Sequence, residues 1–89
     1  MKIVISVMGK DRTGIIAQVS GLLYREQINI LDITQTILQD LFTMVMLADI
    51  SGSKLTFESL QDELSKVAGE LNVEIRVMRA DLFDAMNKV

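Results

Sequence analysis

Apolar residues recur along the chain with two periods, and these predict six elements in the order strand, helix, strand, strand, helix, strand. Alternate apolar positions mark the strands, and an apolar stripe every three or four residues marks the helices. Ile3, Ile5 and Val7 show the first period. Leu60 and Leu64 show the second. The predicted segments are residues 2–8, 14–27, 28–38, 42–50, 57–71 and 73–78.

The second predicted strand changes parity near its start. Ile28 and Ile30 share one face, whereas Leu31, Ile33 and Ile37 share the other. Because side chains alternate strictly along a regular strand, this shift indicates a bulge or a change of environment.

Three residues bear on how the helices begin, end and pack. Thr56 is a favourable N-cap for the second helix, and Asn72 is a favourable end to it. Gly21 lies inside the first helix, where glycine costs about 1 kcal/mol relative to alanine. We therefore expect Gly21 to mark a close helix contact.

The last nine residues, 81–89, predict a short helix that begins at a capping Asp81. A helix of this length is not stable alone in water, so it must dock on the domain or across a dimer interface. The side chains expected to pack are Leu82, Phe83, Met86 and Val89.

The order of elements predicts an α+β fold of the ferredoxin-like βαββαβ type, as a single domain spanning residues 1–89. Its four-stranded antiparallel sheet carries two helices on one face, and a short C-terminal helix follows. Strands one and three are apolar on both faces and are expected to be central. The opposite sheet face, with Val4 and Met8, is then either a partner surface or covered by the C-terminal helix.

A turn rich in glycine and charge joins the first strand to the first helix. Terminal glycines permit positive φ and close approach, and the free N–H groups of the helix start favour an anion. The alternative is a tight connection without a ligand, with Thr13 as the N-cap. The residues of this turn are Gly9, Lys10, Asp11, Arg12, Thr13 and Gly14.

Composition excludes several function classes. The net charge is -3, and the chain has no cysteine and no histidine. We therefore expect no nucleic-acid partner, no metal or other cofactor, and no catalytic nucleophile–base pair. No apolar run suits a signal peptide or a membrane span, which predicts a cytoplasmic protein without a membrane partner. The match of residues 9–14 to a P-loop is incidental, because Ile15 and Ile16 stand where Lys and Ser or Thr are required.

Two stretches, GKDRTGIIAQVSGLL and INILDITQT, resemble the ACT domains, which are small-molecule-sensing modules of amino-acid metabolism. Together with the tail LFDAMNKV, they are similar to the free-standing ACT proteins grouped as UPF0237. Gln27 departs from the pattern, because many relatives have glycine at this position. A different helix exit is therefore expected there.

The resemblance implies a homodimer that binds an amino-acid-like effector where the first turn of one copy meets the second strand of the other. The turn amides with Lys10 or Arg12 suit a carboxylate, and Asp11, Asp32 or the Asn29 carbonyl suits an ammonium. The alternatives without a ligand are a solvated turn for Lys10 and Arg12, a left-handed helix exit for Asn29, and a solvent-facing side chain for Asp32. The implied second-strand residues are Asn29, Ile30, Leu31 and Asp32.

Two functions remain after these exclusions. One is a regulatory, non-catalytic domain that binds an amino acid or a similar metabolite. The other is a ligand-independent module that docks on a metabolic enzyme or regulator through its bare sheet face or its edge strands.

Overall fold

The computed structural model describes residues 1–86 and shows βαββαβ followed by a third helix. Within those residues, no helix is long and apolar enough to cross a membrane. The elements are β1 (Lys2–Lys10), α1 (Ile15–Arg25), β2 (Asn29–Leu38), β3 (Leu41–Asp49), α2 (Phe57–Leu71), β4 (Glu74–Arg79) and α3 (Ala80–Met86).

The four strands form one antiparallel sheet in the order β2-β3-β1-β4. The predicted fold is confirmed, with β3 and β1 at the centre and β2 and β4 at the edges. The core lies on one face of this sheet, beneath α1 and α2. The core includes the inward-facing residues of β1 and β3, the apolar stripe of α1, and Leu60, Leu64 and Leu71 of α2.

Local backbone signals set the ends of the helices. The Thr56 hydroxyl oxygen accepts a hydrogen bond from the Ser59 N–H at 3.1 Å, and Asn72 ends α2 in the left-handed region at φ 55°. Both predictions are confirmed. Gln27 also adopts positive φ, 59°, so the expectation of a different helix exit is wrong, because the exit from α1 keeps a left-handed residue without glycine.

A bulge interrupts β2 near its start, as the parity change predicts. Ile30 lies opposite Ala48 and Asp32 lies opposite Leu47, so Leu31 is the extra residue. Ile30 therefore shares the core face, whereas Asp32 shares the opposite face of the sheet, which we call the outer face.

The third helix follows β4 directly and packs against β1 and β4 on the outer face. Val4 beneath it is 7% exposed, and Phe83 is half-buried. Leu82 and Met86 remain 52% and 66% exposed, so they do not pack on their own domain, and their packing across a dimer interface stays a prediction. Asp81 lies in the first turn of α3 instead of before it, because the helix begins directly at the end of β4. Val89 lies outside the described residues.

The expectation that Gly21 marks a close contact is wrong, because a Cβ built there meets no atom within 4 Å. We therefore expect Gly21→Ala to raise the free energy of unfolding by about 0.5–1 kcal/mol, since alanine loses less backbone entropy in a helix. Urea unfolding followed by circular dichroism measures this change. A lower midpoint would contradict the open environment of Gly21.

Candidate functional site

The turn after β1 is shorter than predicted. Gly9 pairs with Phe42 and Lys10 pairs with Leu41, so the ladder with β3 extends β1 to Lys10. The predicted boundary of the strand is wrong because pairing with β3 continues past the alternating apolar run. The turn proper is therefore residues 11–14.

The start of α1 is open and has no side-chain cap. Gly14 is its N-cap, with φ 97°, so Thr13 as the N-cap is wrong. The first intrahelical bond runs from the Gln18 N–H to the Gly14 carbonyl at 2.9 Å, which leaves the preceding N–H groups without acceptors in the helix. A Cβ at Gly14 would meet only the Gln18 Nε2, at 3.9 Å. An anionic group can therefore approach these amides.

Gly9 has a different role from Gly14. A Cβ at Gly9 would lie 2.8 Å from the Val73 Cγ1 and 3.1 Å from the Val73 Cα. The group that comes close to this glycine is therefore the connection between α2 and β4, which belongs to the same chain.

Two further hydrogen bonds hold the turn in place. The Arg12 guanidinium donates to the Leu71 carbonyl at 2.5 Å, near the C-terminus of α2. The Asp11 N–H donates to the Asp40 carbonyl at 2.7 Å, in the connection between β2 and β3. Arg12 is thus engaged by the fold instead of being freely solvated. Sequence reasoning missed Asp40 and Leu71, because neither has a local signal that points to the turn.

A recess of about 240 Å³ lies between the turn and the end of α2. Carbonyl groups at a helix C-terminus favour a cation, just as the amides at a helix N-terminus favour an anion. The turn thus stands between the start of one helix and the end of another. The recess is lined by Lys10, Asp11, Arg12, Leu71 and Asn72.

The second set of predicted site residues lies at the start of β2. Asn29 is in the strand and not in the left-handed region, which Gln27 occupies instead. Leu31 is 43% exposed, and Ile30 is half-buried against the core. The Asp32 Oδ1 accepts the Ile33 N–H at 2.9 Å, on the outer face.

Asp49, opposite Asn29 on β3, is occupied by local partners. The Ser51 hydroxyl donates to the Asp49 Oδ1 at 2.6 Å, and the Ser51 N–H donates to the same oxygen at 2.9 Å. These hydrogen bonds lower the pKa of Asp49 below its ordinary value. The N-terminal ammonium of Met1 lies 3.6 Å from the same oxygen. This carboxylate therefore stays ionised at neutral pH.

The two sets of predicted site residues lie at opposite ends of the sheet. Leu41 pairs with both Lys10 and Leu38, whereas Asp49 pairs with both Lys2 and Asn29. Eight strand steps of about 3.4 Å separate Leu41 from Asp49, or roughly 27 Å. One chain therefore does not bring the turn and the start of β2 together.

Sequence comparison identifies a family and close relatives. A family profile described as an ACT domain matches residues 1–78. A UPF0237 protein of Methanocaldococcus jannaschii is 47% identical over 88 residues, covering 99% of this chain and 98% of the relative. A UPF0237 protein of Clostridium acetobutylicum is 47% identical over 89 residues, covering all of both chains.

Solved structures show the same fold. An ACT domain protein from Streptococcus pneumoniae superposes with a TM-score of 0.82 and 40% identity, covering 94% of each chain. A protein assigned as a glycine cleavage system transcriptional repressor superposes at 0.78 with 25% identity, over 89% of this chain and 45% of its own. A formyltetrahydrofolate deformylase of Burkholderia mallei, with 18% identity and a TM-score of 0.79, shares the fold over 28% of its chain.

Proposed function

The chain belongs to the ACT domain family, and on that premise we propose that it is a regulatory, non-catalytic domain that binds an amino acid or a similar small metabolite between two copies. The similarity to a protein assigned as a transcriptional repressor supports the regulatory role. The single observation that carries the arrangement is the separation of roughly 27 Å between the two sets of site residues. In the proposed dimer, the second copy places the start of its β2 next to the turn of the first copy.

The open edge of β2 supports a two-fold arrangement. Its ten residues carry one charge, that of Asp32, and residues 31–38 are all exposed. Natural edge strands usually avoid such pairing through lysine, proline or bulges, and beyond its bulge at Leu31 the β2 edge has none of these up to Leu38. Ile33 and Ile37 share the core face of the sheet yet are 45% and 48% exposed, so an apolar strip accompanies the free edge.

Antiparallel pairing of the β2 strands of two copies brings the turn of one copy close to the start of β2 in the other. Such pairing sets Asn29 of one copy near Leu38 of the other, at the end of the sheet where the turn lies. The bond from Asp11 to Asp40 brings the turn across the end of β3 towards this edge. Each dimer then has two equivalent sites, as a two-fold axis requires.

The chemistry of the site suits a zwitterion. The effector carboxylate meets the free amides at Gly14, with Lys10 nearby, and its ammonium meets Asp11 and the side-chain amide carbonyl of Asn29 from the second copy. Arg12 acts as a positioning residue through its bond to Leu71. Asp32 faces the other side of the sheet and is left out of this site.

We expect amino acids at millimolar concentration to raise the melting temperature, because a ligand that binds only the folded state stabilises it. Gly14→Val should abolish this shift, since a β-branched residue does not tolerate φ 97° and would cover the open amides. Asn29→Ala should weaken binding by about 0.5–1.5 kcal/mol, the value of one hydrogen bond. Thermal-shift screening followed by calorimetry measures both effects. No shift with any amino acid or related metabolite would contradict the proposed function.

Mixing two defective variants tests whether the site is shared. A Gly14→Val chain and a Leu31→Asp chain should each fail to bind as pure dimers, because valine covers the open amides and a carboxylate at Leu31, a predicted site residue beside Asn29, would repel the effector carboxylate. Their mixed dimer has one site with both changes and one site with neither, so about half of the sites should recover in mixed dimers. If both variants are folded and form mixed dimers that recover no binding, the site lies within one chain.

A further inference from the structure

A groove of about 190 Å³ lies on the outer face of the sheet, beside α3. The third helix packs on β1 and β4, and it leaves β3 and β2 beside it uncovered. Val4, Val45 and Leu47 form the apolar floor, and Phe83 lines the side towards α3. This groove is on the opposite face of the sheet from α1 and does not involve the turn after β1.

The sides of the groove are acidic. Asp32 of β2 and Asp84 of α3 both line it, and both residues are exposed. Among the described residues, no lysine or arginine lines the groove. The arginines at the end of the chain are paired elsewhere: Arg79 contacts Asp81 at 2.9 Å, and Arg76 contacts Glu74 at 2.6 Å.

We propose that this groove docks a partner protein through a short segment in which a lysine or arginine stands beside an apolar side chain. The apolar floor takes the aliphatic part, and Asp32 and Asp84 face the cationic head, so the groove complements such a side chain in both polarity and charge. An engineered cavity of about 150 Å³ holds one benzene, so a groove of 190 Å³ suits one long side chain rather than a whole helix.

Charge argues against a second copy as the occupant. The exposed face of α3 presents Asp81 and Asp84 beside Leu82 and Met86. Asp81 is paired with Arg79, but seating this helix in the groove of another copy would still set Asp84 against Asp32 and Asp84 of that copy, and like charges in an interface are unfavourable. A basic segment meets no such repulsion.

The test uses two matched peptides, acetyl-Gly-Leu-Arg-Leu-Gly-amide and its glutamate counterpart, titrated into the isotopically labelled protein. We expect the arginine peptide to shift the amide signals of Val45, Leu47 and Phe83, and to bind at least about threefold more tightly than the glutamate peptide. This preference should shrink at high salt, because exposed charges are screened.

Variants of the groove and a control variant complete the test. Asp32→Asn and Asp84→Asn should each weaken the arginine peptide about two- to threefold. Asp62→Asn, an exposed aspartate of α2 on the other side of the molecule, should leave its affinity unchanged. Equal binding of the two peptides, or shifts centred away from the groove, would overturn the proposal. So would self-association through this face in Asp84→Asn, which would make a second copy the occupant. Either result leaves the effector site untouched.

Discussion

Gly9→Ala is expected to lower the free energy of unfolding by about 1–3 kcal/mol, the usual cost of forcing extra volume into a packed site. The new methyl group would stand 2.8 Å from the Val73 Cγ1 and 3.1 Å from the Val73 Cα, and a backbone atom cannot move aside as a flexible side chain can. The change also pushes the end of β1 away from the connection that Arg12 binds through Leu71. Effector binding should therefore weaken as well.

Chemical denaturation and calorimetry measure these two effects on the same protein. Gly21→Ala is the matched control, because it adds the same methyl group where no atom lies within 4 Å, and its expected effect has the opposite sign. If both variants changed stability equally, the contact between Gly9 and Val73 would not be the cause.

The double change Ile33→Lys and Ile37→Lys is expected to raise the dissociation constant of the proposed dimer by about 100-fold or more. These side chains are half exposed on the core side of β2, where the proposed pairing would bury them. The two ammonium groups added at position 33 would lie close together near the two-fold axis and would repel one another, and those at position 37 would charge the rest of the same apolar strip. Loss of the dimer should also remove effector binding, because each site needs both copies.

Analytical ultracentrifugation over a wide range of protein concentrations measures the dimer. Thr36→Lys is the control, since it adds a lysine to the same strand, one per copy instead of two, on the outer face. It should weaken the dimer far less than the double change. A double variant that remains dimeric and binds the effector normally would contradict pairing through β2.

The strands and helices of this fold could be predicted from the sequence because the residue patterns that specify them are local. Alternation marks strands, Thr56 caps α2 through a residue three positions away, and Asn72 adopts the left-handed conformation that its side chain tolerates. The change of parity between Ile30 and Asp32 likewise predicted the bulge. In each case the physical cause lies within a few residues of its effect.

The boundary of β1 and the partners of Gly9 and Arg12 depend on contacts between distant parts of the chain. The end of β1 depends on its pairing with β3, so the apolar pattern placed the boundary two residues early. The partner of Gly9 is Val73 and the partner of Arg12 is Leu71, and no local pattern links them. The separate structural roles of Gly9, Arg12 and Gly14 therefore required the fold, and ligand binding at the turn stays a prediction.

The position of β1 at the centre of the sheet has a consequence for biosynthesis. This first strand pairs on one side with β3 and on the other with β4, so Ser6 meets both Val45 and Arg76. The ribosome synthesises the chain from its N-terminus. The edge of β1 that pairs with β4 therefore stays unpaired until nearly all of the described chain has emerged. Because pairing of distant segments is also slow, we expect the sheet to close only after β4 is free of the exit tunnel. During that interval Ile3, Ile5 and Val7 are the residues that a nascent-chain chaperone would meet.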